Sequence, residues 1–349
     1  MEAWKEACSS GVPALYLVPD RRIYLLKPIT FNGPCKSNIT VKIVGTLEAS
    51  SKLSDWDEKS TTHWVLFHRI ENLTVLGGGT INGNGKIWWE HSCKINTSAV
   101  TFYSCNNLRV EDLSIKDSQQ IHISIEECNN VRVSNLTIDA PEKSPNTDGI
   151  HVANTKNMLI IGCMIRTGDD CISIVSGSHN VKAMNIVCGP GHGISIGSLG
   201  ATNSVANVSD VIVDSATLNG TTNGVRIKTW QGGQGHARNI LFQNINMHQV
   251  YNPIIIDQNY CDSKDPCHEQ KSAVSVSHVI YKNIKGTSAS KVAVKFTCSR
   301  TLPCQKIKMK NIRLVGQDGG STESLCKHVK WATTEMVIPP PCANGKLLL

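Results

Sequence analysis

The chain has 349 residues, 40% of them hydrophobic and 18% charged, a balance that fits a globular protein in water with one large domain or two ordinary ones. No run of about 18 apolar residues occurs, which excludes a membrane-spanning helix, and no recognisable module or aromatic platform supports nucleic-acid binding. The net charge of +7 is spread without blocks, so it fits either an acidic partner such as a polysaccharide or a merely solvated surface.

In chain order, "MEAWKEAC" is the one stretch with helical character, placed to cap an open end of a repeat structure. "MEAWKEACSS" has no basic n-region and no apolar h-region, so a secretory signal has been removed or the sequence starts late. "GGGTINGNG" (77–85) has the glycines of a phosphate loop. It lacks G-K-[ST], and no helix is expected after it, so it reads as turns. Trp88 and Trp89 suit sugar stacking, and packing in a cap or core equally well.

A repeat then takes over. "NNLRVEDLSI" (106–115), "NNVRVSNLTI" (129–138), "KNMLIIGCMI" (156–165) and "RNILFQNINM" (238–247) share one pattern, with "HNVKAMNIV" and "SDVIVDSATL" between. The second position falls at 107, 130, 157, 180, 210 and 239, periods of 23 to 30 residues. β-branched runs without helical periodicity at that spacing indicate stacked β coils. The fold class expected is therefore all-β: a single parallel β-helix domain over residues 1–349, with no linker or composition shift to divide it.

The third strand of each coil aligns Asp148, Asp170, His192, Asn223 and Asn252, which are 22, 22, 31 and 29 residues apart. Two residues on stand Ile150, Ile172, Ile194, Val225 and Ile254, and four residues on Val152, Ile174, Ile196, Ile227 and Ile256. These are core columns. The alternate positions point outward, at His151, Ser173, Ser195, Arg226 and Ile255, then Ala153, Val175, Gly197, Lys228 and Asp257. With strands about 4.8 Å apart, acids, a histidine, an arginine and a lysine gather within roughly 10–15 Å on that face.

Isolated aspartates in such stretches are turn formers or calcium ligands. Here Asp148, Asp169 and Asp170 share one end of adjacent coils beside cations, and clustering keeps one member protonated while the others ionise. Glycoside hydrolysis requires that division: an acid for the leaving oxygen and a base for water. Arg226 and Lys228 suit a carboxylate-bearing sugar, the first by bidentate pairing and the second as a point charge. His192 lies between these groups with a near-neutral pKa. Gly193–Gly197 reads G-x-S-x-G, but Ser195 falls mid-strand rather than on a strand-to-helix elbow, so a serine nucleophile is rejected.

Fourteen cysteines, several in close pairs (Cys171 and Cys188, Cys261 and Cys267, Cys298 and Cys304), favour disulfides and an oxidising compartment. Six N-x-[ST] sequons, at Asn38, Asn72, Asn96, Asn135, Asn207 and Asn219, point the same way.

"NTDG" (146–149), "GDDC" (168–171), "GHG" (191–193) and "RIK" (226–228), in that order, resemble the plant polygalacturonases of glycoside hydrolase family 28. The resemblance runs from about Ala3 to about Val315, and "VRIKTWQGG" and "IIIDQNYCD" resemble the plant branch in particular. It implies a right-handed parallel β-helix and metal-free, cofactor-free hydrolysis, with inversion, of the α-1,4 links in homogalacturonan. Endo action is favoured over exo, by a secreted, cell-wall monomer. Asp169 would be the general acid, Asp148 and Asp170 would activate water, and His192 would tune the acid. Arg226 and Lys228 would bind the uronate carboxylate, with Tyr260 and Gly193 completing the substrate contacts. The implied disulfides are Cys171–Cys188, Cys261–Cys267, Cys298–Cys304, Cys326–Cys342 and Cys8–Cys35. The chain departs from relatives in lacking an earlier coil and a Cys- and Pro-containing loop between Asn96 and Ala99, which leaves Cys93 without its expected partner. Two alternatives are a truncated, non-catalytic pectin-binding homologue and a calcium-dependent pectate lyase, which "GDDC" and "GHG" fit poorly.

Overall fold

From Asn72 onward, successive coils turn a corner on a residue in the left-handed region of backbone space, where asparagine is the side chain tolerated best after glycine. Asn107, Asn130, Asn157, Asn180, Asp210 and Asn239 have φ between 53° and 59°. A second corner follows five residues later at Asp112, Asn135, Gly162, Asn185, Ser215 and Asn244, again at positive φ. The side chains then ladder from coil to coil: Asn130 Nδ2 donates to Asn107 Oδ1 at 2.6 Å, and Asn107 Nδ2 to Asn72 Oδ1 at 3.0 Å. The recurring "NN" of the sequence is thus a bend and its hydrogen-bonded support.

The computed structural model describes residues 1–56, 62–91, 97–262, 267–340 and 342. Cys93 and Asn96 lie outside the described residues. The described chain divides into two compact units, Met1–Ile172 and Ser173–Leu349.

In the first unit, Asn106–Glu111, Ser114–Lys116 and Ile123–Glu126 form three strands of one coil. They pair in parallel with Asn129–Ser134, Thr137–Asp139 and Ile150–Ala153 of the next. In the second unit the corners are absorbed into long strands. Val205–Asn219, Gln234–Val250, Ser275–Ser288 and Cys304–Gly316 pair in parallel. A separate sheet there stacks Ile194–Leu199, Asn223–Trp230, Asn252–Tyr260 and Val292–Thr297. The fold class is the expected one, an all-β right-handed parallel β-helix.

The aliphatic columns lie in the core as the alternation requires. Ile150, Val152 and Ile172 in the first unit and Ile174, Ile194, Ile196, Val225, Ile227, Ile254 and Ile256 in the second are all 0% exposed. Each such side chain contributes about 1.5–3 kcal/mol relative to an exposed one. Aromatic rings stack in the same manner, Phe31 on Phe67 at 4.9 Å and Phe67 on Phe102 at 5.1 Å.

The N-terminal helix, Glu2–Ser9, is present. It buries Trp4 against Phe31 at 4.9 Å, donates Trp4 Nε1 to Asn32 O at 3.1 Å, and is held by Cys8–Cys35. The expectation that no helix follows the glycine loop fails: Lys86–His91 is a short helix. Its Trp88 is 3% exposed and packs edge-on against Trp56 at 4.9 Å, so one buried tryptophan stabilises a turn that sequence pattern did not reveal. The loop is still not a phosphate cradle, because Gly78 N and Gly79 N already donate to Asp112 O and Ile43 O.

Cys261–Cys267, Cys298–Cys304 and Cys326–Cys342 are disulfides, and Cys171 and Cys188 are also disulfide-bonded. Cys105, Cys128 and Cys163 are free and buried. The sequon asparagines Asn38, Asn72, Asn135, Asn207 and Asn219 are all exposed. Among the described residues no helix is long and apolar enough to cross a membrane.

Candidate active site

The first unit supplies the three carboxylates. Gly149 N donates to Asp170 O at 2.9 Å and Ile150 N to Cys171 O at 3.0 Å. By the parallel ladder rule this sets Asp148 opposite Asp170 on neighbouring coils, about 4.8 Å apart along the stack. Asp148 and Asp169 are half-buried, and Asp170 is 1% exposed. Asp169 turns its carboxylate back on the chain, where Oδ1 accepts the Asp170 N–H at 2.8 Å. That bond fixes the Asp169 side chain.

The flanking residues of both motifs form one polar clamp. Thr147 Oγ1 accepts the Gly168 N–H at 3.0 Å and lies 2.7 Å from Ser144 Oγ, which donates to Pro141 O at 2.6 Å. Gly168 passes so close to Ser144 that a Cβ there would sit 1.9 Å from the Ser144 carbonyl oxygen. The first residue of "GDDC" is therefore glycine for space, and "SPNTDG" holds the turn that carries Asp169 and Asp170.

Sequence reasoning missed His122. It is 0% exposed, and its Nδ1 lies 3.0 Å from Asp148 O, which also accepts the His122 N–H at 2.9 Å. The ring therefore anchors the peptide that carries Asp148. Its partner lies one coil away, so no local pattern marks it. Burial pushes the imidazole down to about 4 from its ordinary 6.5. The ring is neutral above that value and donates through Nδ1.

A stability effect follows. Above pH 6.5 both folded and unfolded states hold the ring neutral, and the fold is at full strength. As pH falls from 6.5 towards 4, the unfolded chain takes up a proton that the folded chain refuses, so stability declines and then levels below 4. The total is on the order of 3 kcal/mol. Urea midpoints across that range should fall with pH in the wild type and flatten in His122→Phe; parallel slopes would assign the effect to other groups.

The second unit supplies the remaining candidates. His192 is half-buried at the head of Ile194–Leu199, and its carbonyl accepts Asn223 Nδ2 at 3.3 Å. Asn252 Nδ2 in turn donates to Asn223 Oδ1 at 3.1 Å, so an amide ladder supports the histidine's backbone. Gly193 has φ 86°, and a Cβ there would lie 2.0 Å from Asn223 O, which gives it a packing reason to be glycine. Arg226 stands beside Ser195 in the ladder and donates Nε to Ser195 Oγ at 2.9 Å. Ser195 is thus a buried acceptor that aims a guanidinium, in the middle of a strand.

Lys228 is 8% exposed and in register with Asp257, and its Nζ lies 5.3 Å from the centre of the Tyr260 ring. Tyr260 meets Trp230 edge to face at 5.3 Å. The outward face is less open than alternation alone implies: Ser173, Ser195 and Ile255 are also buried. A cation in an aromatic setting and an arginine with a fixed fork suit a planar carboxylate on a sugar.

Asp169 and Asp170 offer the oxygen donors that a hard cation takes. Asp169 Oδ1, however, is already committed to an N–H. A half-buried acid, Asp148, opposite a buried one, Asp170, on the neighbouring coil suits proton transfer.

A sequence model of "Glycosyl hydrolases family 28" matches residues 8–337. Polygalacturonase-2 of Solanum lycopersicum is 58% identical over 346 residues, covering 97% of this chain and 75% of the relative. A polygalacturonase of Persea americana is 59% identical over 336 residues, covering 94% and 72%. Among solved structures, a polygalacturonase from Erwinia carotovora ssp. carotovora superposes with a TM-score of 0.79 at 23% identity, covering 95% of this chain and 93% of that one. Endopolygalacturonase I from Stereum purpureum, complexed with two galacturonates, gives 0.70 at 19%, covering 95% and 97%.

Proposed function

The chain belongs to glycosyl hydrolase family 28, and from that premise we propose that it is a polygalacturonase that cleaves the α-1,4 links of homogalacturonan by endo action with inversion. The single observation that carries the reading is the acid set: Asp148 in register with Asp170, and Asp169 held beside them by the Asp170 N–H.

Asp169, as the carboxylic acid, gives its proton to the glycosidic oxygen as the C1–O bond breaks. Asp148 and Asp170 take a proton from a water molecule whose oxygen attacks C1 from the opposite face of the ring. The sugar passes through an oxocarbenium-like state, and the new reducing end carries the inverted configuration. His192 tunes the acid and touches the substrate. Arg226 and Lys228 take the uronate carboxylate and Tyr260 the ring face beside it; Gly193 lets the backbone approach the sugar. No metal or cofactor enters these steps.

Family membership runs across both units, which supports one catalytic domain. The disulfides and exposed sequons support a secreted protein of the cell wall, where its action would modify pectin. It is read as a monomer.

Sizing the products released early from polygalacturonate tests the mode. A ladder of oligomers is the expected outcome. Monomer alone would replace endo with exo action, and no product from a folded, pectate-binding chain would make it a binding homologue.

A further inference from the structure

The second unit carries a cationic strip on a different sheet from the one that holds Arg226 and Lys228. Around the corner residues of Ser275–Ser288 and Cys304–Gly316 two pairs of cations face each other, with Gln243 and Asn246 of Gln234–Val250 at the same register positions. Lys282 is in register with Lys310, and Lys285 with Arg313. Like charges directly opposite one another, about 4.8 Å apart, destabilise a sheet. The fold therefore keeps two repulsive pairs side by side.

Little offsets them. Glu335 pairs with Lys310 at 2.9 Å, both groups about half exposed. Among the described residues Lys282, Lys285 and Arg313 make no ion pair. Asp214, two strands from Lys282 in the same register, is engaged by Gln243 Nε2 at 2.7 Å and Asn244 Nδ2 at 2.8 Å.

Between the pairs lies an amide floor. Asn244, Asn283 and Asn311 all take positive φ at the corner, and each hands its amide to the next: Asn283 Nδ2 to Asn244 Oδ1 at 2.9 Å, Asn311 Nδ2 to Asn283 Oδ1 at 3.0 Å. The bend makes this floor concave, and Asn246, Lys285 and Arg313 line the same depression. It continues to His248 and Thr287. Rigid amides flanked by cations on two neighbouring strands match a polymer that bears a carboxylate on every sugar and hydroxyls between them.

We infer that this strip is a second, non-catalytic binding site for an acidic polysaccharide, de-esterified homogalacturonan, which holds the enzyme on its polymer. The identity of the polymer rests on the proposed function; the charge and shape of the strip do not.

The test compares the full-length chain with its Lys285→Gln/Arg313→Gln variant, and adds Lys282→Gln/Lys310→Gln as an independent pair. The first measurement is retardation in gels that contain polygalacturonate or fully methyl-esterified pectin, using Asp169→Asn protein so that the polymer is not consumed. The second is hydrolysis of a short oligogalacturonate against that of the polymer. The expected result is that polygalacturonate retards the parent, esterified pectin does not, and either pair of substitutions weakens retardation. The KM for polymer should rise by about tenfold at most, as two exposed charge contacts allow, with kcat and the KM for the short substrate unchanged. Retardation equal to the parent's in both variants would overturn the strip. So would an equal rise in KM for short and long substrates, which would place these residues in the catalytic cleft or the fold. Failure of the proposed function is separable: a chain retarded through Lys285 and Arg313 that releases no reducing ends keeps the strip and loses the hydrolase.

Discussion

Asp169→Asn should lower kcat on polygalacturonate by about 10²- to 10⁴-fold, the usual contribution of a positioned general acid. The fold should survive. The amide keeps an oxygen in place to accept the Asp170 N–H now bonded at 2.8 Å, and the side chain stays half-buried without a change in volume. What disappears is the proton that the leaving oxygen needs. Initial rates of reducing-end release, beside a thermal melt of the same preparation, check both parts. A variant that keeps more than about a tenth of the wild-type kcat would fall outside the range for a general acid and move that role to another group.

Arg226→Ala should lower kcat/KM on polygalacturonate by about 10- to 100-fold, the size of a hydrogen-bonded charge contact. The loss should sit mainly in KM. Ser195 Oγ fixes the guanidinium through Nε at 2.9 Å, so the fork is oriented before substrate arrives. Arg226→Lys should recover only part of the loss, because an ammonium cannot pair two oxygens in a plane. Rates on polygalacturonate and on its methyl ester separate recognition from folding. The penalty should shrink on the ester, which presents no carboxylate. An equal penalty on both would make Arg226 a structural residue.

Much of this architecture is legible in the sequence because it repeats. Asn107, Asn130, Asn157 and Asn239 recur at one position since few other side chains accept φ near 55°, so a backbone constraint surfaces as a sequence period. Ile150, Val225 and Ile254 line up because stacked coils have one interior to fill. Asp169 and Asp170 stand out because adjacent acids at the head of a strand have no packing reason to be there.

What stays hidden depends on contacts between coils. His122 is an isolated histidine in sequence, and its value lies in a carbonyl 26 residues away. The Lys86–His91 helix has no cap or amphipathic signal. It forms because Trp88 finds Trp56, a contact across a long stretch of chain. The long strands of the second unit are equally illegible: the second corner separates strands in the first unit, at Asp112, Asn135 and Gly162, and lies within them in the second, at Asn185, Ser215 and Asn244. The cysteine count foretold disulfides but not that Cys105, Cys128 and Cys163 would serve as small buried side chains.

The central claim is direct displacement by water at an α-linked galacturonate, with Asp169 as acid and no covalent intermediate. Proton magnetic resonance of a fresh polygalacturonate digest reads it most directly, by following the anomeric signals of new reducing ends before mutarotation mixes them. The β-anomer should appear first and the α-anomer only later. An α-anomer that appears first would mean retention through a double displacement, and an unsaturated, ultraviolet-absorbing end in its place would mean elimination; either would contradict the assignment.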